Sequence, residues 1–526
     1  MGTASVPETF GKIPGAGPAL RPALAFLPPF SGPMLRLALL LALTLGAAPD
    51  SLDSALDAGD TLGAVRPPAA PGQLDAEARA SVEAIDAILA DADLPAAFWG
   101  LYVQDLSTGR ILLSRNADKL FVPASNEKIL TTAAALDALG PDHRYVTRLY
   151  FFGSEDADGT LRGDLVIRGD GDPTFGSDLL RRDPLETWAE ALAASGVRRI
   201  EGRIIGDDDR FEDNPYGEGW DVSHISTESY APAAGGLAWD DNLLDLRIAD
   251  GRVESSPSGF ASFRGQVGTG TGRLRVERTL GADEFALSGN VSARYRGTLQ
   301  VPVANPTRYA VWSFAERLRD AGIAVEADLL DVDDVRDAPR YDGAQPLQVT
   351  VSPTLDRIVR RVNRESDNLY AEQLFRSLSS DGSTAASARR VKAFVDAAGG
   401  DGDDLSIVDG SGLSRKNLIT PSALAAVLAR MHRHPHAGAF RASLPEGGGA
   451  GSTLRNRLSG VPVRAKTGSL QAVRSLSGYV DGPSGNRMVF VILANNYTAR
   501  SGRISAAADR IVRALAAGGR LPVDED

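Results

Sequence analysis

The sequence predicts one mixed α/β domain whose helices and hairpins are interrupted by a long inserted block. Three observations point there. The 526 residues, 24% charged and 43% hydrophobic, are globular by composition but too many for one core, so two or three domains are expected. A helical apolar spacing followed by a hairpin opens the patterned part of the chain, and helices followed by a hairpin close it. Between them, from about Tyr145 to Gln348, lie short β-rich runs punctuated by Gly-Asp turns.

Residues 1–33 are rich in Pro and Gly and show no periodicity. Met34 then opens a stretch with Arg36 as a minimal positive region, the apolar run Leu37–Leu45 and the small residues Gly46-Ala47-Ala48, the pattern of a cleaved secretory signal peptide. The run is too short for a membrane span. Residues 1–48 are therefore expected to be an upstream extension plus signal peptide, with the start at Met34 and a periplasmic product; the alternative is an uncleaved hydrophobic anchor. Residues 49–73, rich in Ala, Gly, Pro and Asp, read as a flexible lead-in.

Val82, Ile85, Ile88 and Leu89 recur at helical spacing, and Ala97–Asp105 with Arg110–Ser114 form a hairpin around Ser107-Thr108-Gly109. Pro123 and Ala124 precede Ser125, after which Ile129, Leu130, Ala133, Leu136 and Leu139 predict a buried helix with Ser125 at its N-terminal end. Within the inserted block, Asp164–Arg168, Arg199–Ile205 and Thr298–Val303 read as strands. Helical patterning returns at Leu355–Val362, Leu369–Leu378, Ala388–Ala397 and Ser422–Met431. The second hairpin, Ser475–Val480 and Met488–Asn495 around Gly482–Gly485, precedes an amphipathic helix near Ile504–Leu515.

Composition narrows the chemistry. With 68 acidic and 56 basic residues, a net charge of −12, there is no broad cationic surface for a phosphate backbone, and no nucleic-acid partner is expected. The absence of cysteine excludes disulfides, Cys-ligated metals and cysteine nucleophiles. Gly-x-Ser-x-Gly, His-Glu-x-x-His and Gly-x-x-x-x-Gly-Lys are missing. His432, His434 and His436, with Pro435 among them, read as a solvated helix end, and Gly268-Thr269-Gly270-Thr271-Gly272 reads as a turn, not a dinucleotide cradle. No metal or cofactor is implied. With no second apolar run of membrane length and an acidic end at 522–526, membrane association is at most peripheral.

Three features combine. Ser125-Asn126-Glu127-Lys128, the one Ser-x-x-Lys in the chain, puts an amine one helical turn from a hydroxyl on the same face. A helix N-terminus adds free backbone N–H groups for a developing oxyanion. Six lysines stand against fifty arginines, and only an amine can give up its proton, so a lysine kept at Lys128 suits a base. Ser366-Asp367-Asn368 lies between two helical segments, where a loop can offer a hydroxyl and an amide to a cleft. Lys466-Thr467-Gly468-Ser469 precedes the closing hairpin; on an edge strand it supplies a fixed positive charge, hydroxyl donors and, at Gly468, room for a substrate backbone.

At these residues the chain resembles the penicillin-recognising serine enzymes, in motif order as well as content. Ser125 and Ser366 are 241 residues apart, more than a compact β-lactamase has room for. Gly169-Asp170-Gly171-Asp172-Pro173, Gly219-Trp220-Asp221, Tyr230-Ala231-Pro232 and Asp409-Gly410-Ser411-Gly412-Leu413-Ser414 look like the D-alanyl-D-alanine carboxypeptidase/endopeptidases of the penicillin-binding protein 4 type, over about residues 75–515. The resemblance implies a transpeptidase-like domain of antiparallel sheet flanked by helices, at 74–147 and 346–526, interrupted by two nested β-rich domains at 148–176 with 250–345 and at 177–249.

It also implies roles. Ser125 attacks the carbonyl between two D-alanines, Lys128 takes its proton, and Ser366 with Lys466 relays a proton to the leaving amine. Asn368 holds the acyl-donor amide, Thr467 and Ser469 hold the free carboxylate, and the N–H groups of Ser125 and Ser469 form the oxyanion hole. Asp221 faces the amino-bearing end of diaminopimelate. The partners implied are peptidoglycan stem peptides ending in D-Ala-D-Ala and β-lactam antibiotics. Either lysine remains open as the general base. A serine β-lactamase is the alternative, although no Glu-x-x-Leu-Asn loop lies between Asn368 and Lys466; a β-lactam or muropeptide sensor that does not turn over is another.

Overall fold

The computed structural model describes residues 75–519 except 92, 93, 95, 96, 250 and 251. The signal-peptide and lead-in readings and the acidic end lie outside the described residues. Asp75 caps the first helix, α1 (Ala76–Leu89), by accepting the Ala78 N–H at 2.8 Å, and the helix buries Ile85 and Ile88 as their spacing predicts. The hairpin β1 (Phe98–Asp105) and β2 (Ile111–Arg115) turns on Asp105, whose carboxylate accepts from Ser107 and Thr108. A 3-10 turn, Ala124–Asn126, runs into α2 (Glu127–Leu139), in which every residue from Glu127 to Leu136 is buried.

The inserted block begins with β3 (Val146–Glu155), β4 (Thr160–Arg168), α3 (Pro184–Ser195), β5 (Arg199–Asp207) and the short α4 (Val222–Thr227). It continues through β6 (Leu243–Ala249), β7 (Arg252–Ser256), β8 (Ser262–Gly265), β9 (Gly268–Thr269), β10 (Leu274–Arg278), β11 (Glu284–Val291) and β12 (Arg296–Pro302). It closes with α5 (Pro306–Asp320), β13 (Ala324–Asp331) and β14 (Gln348–Val351). The block is not purely β-rich, because Asp183 and Asn305 cap helices that start with proline; α3 buries Leu185, Trp188, Ala189 and Leu192. The strand ladders also cross the expected internal boundaries. One mixed sheet runs β13-β5-β4-β3-β14, so 184–207 goes with β3 and β4, while β6 pairs β7 and β12 across residue 250. Gly268 and Thr269 are not a simple turn but a short strand beside β11.

After the insertion come α6 (Leu355–Glu365), α7 (Asn368–Arg376), α8 (Thr384–Ala397), α9 (Pro421–Arg433) and α10 (Ala437–Ser443). The chain then forms β15 (Val463–Leu470), β16 (Val473–Asp481), β17 (Arg487–Asn495) and α11 (Ser501–Ala516). The two terminal hairpins join in one antiparallel sheet, ordered β15-β16-β17-β1-β2, with β1 beside β17. Being central, β17 is apolar on both faces. Val489, Val491 and Leu493 face a core with Ile129, Leu136 and Leu424, while Phe490 and Ile492 face Ile85, Leu101 and Ile511. This sandwich of helices around the sheet fixes the 3-10 turn ahead of α2 against β15, an edge strand as expected. His434 is buried, not solvated, with Nε2 2.9 Å from Asp137, and no cluster among the described residues has the make-up of a metal site. Among the described residues no helix is long and apolar enough to cross a membrane.

Candidate active site

Ser125 sits on the 3-10 turn before α2, behind Ala124, whose φ of 47° is a left-handed conformation costing a non-glycine residue about 1–3 kcal/mol. Three contacts hold this strained turn on the sheet. Asn126 Nδ2 donates to the Lys466 carbonyl at 2.9 Å, Ser475 Oγ donates to the Pro123 carbonyl at 2.7 Å, and the Val122 N–H donates to Asn495 at 2.9 Å. Residues from three motifs thereby come together, although 241 and 100 residues separate their serines and lysine.

Lys128 is wholly buried, and its Nζ lies 3.2 Å from Ser125 Oγ, 2.5 Å from Asn368 Oδ1 and 2.5 Å from the Ser411 carbonyl. The latter two are obligate acceptors. They consume the two N–H bonds of a neutral amine and leave its lone pair directed at the serine hydroxyl. Burial pushes the amine down to about 8, against the opposing charges of Asp409, Glu372, Asp367 and Glu127. The preceding Glu127 is equally buried, with neither carboxyl oxygen hydrogen-bonded; burial, then Asp409 and Glu372, push its carboxyl well above the usual range.

Ser366 ends α6 in a left-handed conformation, φ 66°, and Asp367 caps α7 by accepting the Tyr370 N–H at 3.1 Å. Asp367 also binds Arg361, so the middle residue of the motif is structural while its neighbours face the cleft. Lys466 Nζ donates to Ser366 Oγ at 2.8 Å and to the Thr467 carbonyl at 2.9 Å. Burial first, then repulsion from Lys128, push Lys466 well below its ordinary range, which opposes the fixed positive charge expected there. Each of two amines in one buried site disfavours the charged form of the other. Beyond it on β15, Thr467 is half-buried, Gly468 buried and Ser469 exposed.

The inserted block reaches the site in two places. The Tyr230 carbonyl accepts from Asn368 Nδ2 at 2.6 Å, fixing the amide with its oxygen toward Lys128. Trp220 Nε1 donates to Asp409 at 2.8 Å. Asp221 next to it is exposed and caps α4, and hydrogen bonds from Ser223 hold its carboxyl below the usual range; it touches none of the motif residues. Sequence reasoning gave no role to Ser411, Asp409, Glu372 or Asn126. Their signal was proximity to a motif in sequence for Asn126 and Glu372, and the Asp-Gly-Ser-Gly turn for the other two.

A hydroxyl at a helix start, in contact with a buried amine and beside a second amine–hydroxyl pair made by Lys466 of an edge strand and Ser366 at a helix end, is the arrangement of a serine acyl-transfer enzyme. A model of the D-Ala-D-Ala carboxypeptidase 3 (S13) family matches residues 81–516, and the chain belongs to that family; it is a serine-type D-Ala-D-Ala carboxypeptidase. A D-alanyl-D-alanine carboxypeptidase of Actinomadura sp. (strain R39) is 32% identical over 454 residues, 79% of this chain and 81% of its own. D-alanyl-D-alanine carboxypeptidase DacB of Haemophilus influenzae is 26% identical over 422 residues, 76% of this chain and 85% of its own. The crystal structure of penicillin-binding protein 4 (dacB) from H. influenzae superposes with a TM-score of 0.70 at 23% identity, covering 82% of this chain and 99% of that one, and shows the same fold.

Proposed function

We propose that the enzyme acts in the periplasm on peptidoglycan stem peptides, releasing the terminal D-alanine or opening D-alanyl cross-links, through an acyl-enzyme on Ser125. The observation that carries this reading is the placement of Lys128 Nζ between two obligate acceptors and the Ser125 hydroxyl. Lys128 takes the hydroxyl proton as Ser125 attacks, and Ser366, hydrogen-bonded to Lys466, passes a proton to the leaving amine. Asn368 holds the acyl-donor amide, and Thr467 and Ser469 bind the free carboxylate across the space left by Gly468. The N–H groups of Ser125 and Ser469 stabilise the oxyanion, and water then cleaves the ester. β-Lactams mimic the scissile amide and leave a slowly hydrolysed adduct on the same oxygen.

A labelled penicillin is expected to attach to Ser125 and to no other residue, and D-alanine release from a pentapeptide to exceed hydrolysis of a chromogenic cephalosporin. Labelling that survives Ser125→Ala would refute the assignment. Asp221, exposed next to Trp220 with its carboxyl held below the usual range, is suited to a cationic diaminopimelate side chain. Asp221→Ala is expected to lower turnover of a diaminopimelyl peptide more than that of an acetylated peptide; an equal loss on both refutes the recognition role.

A further inference from the structure

Glu372 lies one helical turn beyond Asn368 on the same face of α7, and both side chains bear on Lys128. Asn368 does so directly. Glu372 does so through the backbone: its buried Oε1 accepts the N–H groups of Gly410 at 3.1 Å and Ser411 at 2.8 Å, and the Ser411 carbonyl accepts from Lys128 Nζ. The loop does not need Glu372 for its own shape, because Asp409 already takes four hydrogen bonds, from Gly412, Ser414, Asn417 and Trp220. Glu372 instead sets where that loop sits relative to α7.

We propose that Glu372 is a positioning residue for acylation, holding the Gly410 and Ser411 amides so that the Ser411 carbonyl faces Lys128 and directs the amine's lone pair at Ser125. This rests on the reading of Lys128 as the proton acceptor. The charges facing Lys128 are Glu127 on its own helix, Asp367 and Glu372 on α7 and its cap, Asp409 on the loop and Lys466 on β15; Arg376, one turn further along α7, faces Glu372. Burial and Asp409 hold the Glu372 carboxyl above the usual carboxylate range, and its ionised form favours the protonated amine. Removing that charge while keeping the acceptor oxygen lets Lys128 lose its proton at lower pH.

The test is the acylation rate with a fluorescent penicillin over about pH 5 to 10, with melting temperature, for the wild-type protein, Glu372→Gln, Glu372→Ala and Lys128→Met. Glu372→Ala is expected to lose roughly ten- to a hundredfold on the alkaline plateau, the scale of a misplaced reacting group. Glu372→Gln is expected to recover most of that rate, with its acid limb displaced to lower pH. A Glu372→Ala plateau within threefold of wild type overturns the proposal, as does a Gln variant with an unmoved limb; should Glu372→Ala fail to fold, the Gln limb alone decides. Lys128→Met reads the base assignment separately: acylation that survives it refutes the role of Lys128, whereas its loss beside a wild-type Glu372→Ala refutes only the role of Glu372.

Discussion

Replacing Lys128 by arginine is expected to slow acylation by a fluorescent penicillin by about a hundred- to ten-thousandfold, the range general-base catalysis supplies. Arginine cannot accept a proton at any working pH, and its planar head carries five N–H donors where the pocket offers three acceptors, Ser125 Oγ, Asn368 Oδ1 and the Ser411 carbonyl, around one wholly buried nitrogen. In the wild-type enzyme the rate should rise with pH through about 8, because the base is the unprotonated amine, and this limb should vanish in Lys128→Arg and Lys128→Met alike. Lys466→Arg should cost less. Its amine touches Ser366 rather than the nucleophile, so the swap disturbs the second proton transfer while leaving the lone pair of Lys128 in place. Lys119, exposed and paired with its neighbour Asp118, should tolerate arginine with no measurable loss. Acylation kinetics and melting temperatures decide the matter; a Lys128→Arg protein that acylates within a few-fold of wild type refutes the assignment.

What the sequence revealed of this site depended on how local the contact is. The Ser125–Lys128 relation was legible because three residues on a helix bring two side chains to one face. The buried helix was legible because its apolar positions repeat at that period, and β17 because a central strand is apolar on both faces. Within the insertion, α3 and α5 carried readable signals, Asp183-Pro184 and Asn305-Pro306, but the surrounding strands and Gly-Asp turns masked them. Sheet partnership is a different matter. Nothing local in Arg199–Asp207 states that it lies between β4 and β13, so the internal boundaries of the insertion failed where long-range pairing decides them. The same holds at the site: that Lys466 reaches Ser366 came from motif resemblance, and that Tyr230 and Glu372 frame Asn368 and Ser411 came only from the folded chain. Nor could the sequence show that burial beside a second amine opposes the charge of Lys466, which is a property of the assembled cleft.

Gly468→Ala is expected to cost about a hundredfold or more in acylation, through sterics alone. A methyl group at this position would lie 2.1 Å from Ser475 Oγ and 2.9 Å from both the Pro123 carbonyl and the Ser125 nitrogen. Ser475 cannot simply swing aside, since its hydroxyl donates to the Pro123 carbonyl at 2.7 Å, and the other two atoms are backbone. Relief requires β15 to move away from the turn that carries the nucleophile, against the Asn126–Lys466 hydrogen bond that ties the two together. Overpacking of this kind costs about 1–3 kcal/mol of stability, and a displacement of about 1 Å at reacting groups costs on the order of a hundredfold in rate. The double variant Gly468→Ala/Ser475→Ala separates the two effects. It removes the worst contact but not the one to the Ser125 nitrogen, so melting temperature should recover further than the acylation rate. Equal recovery of both, or a single Gly468→Ala variant that acylates like wild type, would show that the strand and the turn need not meet so closely for Ser125 to react.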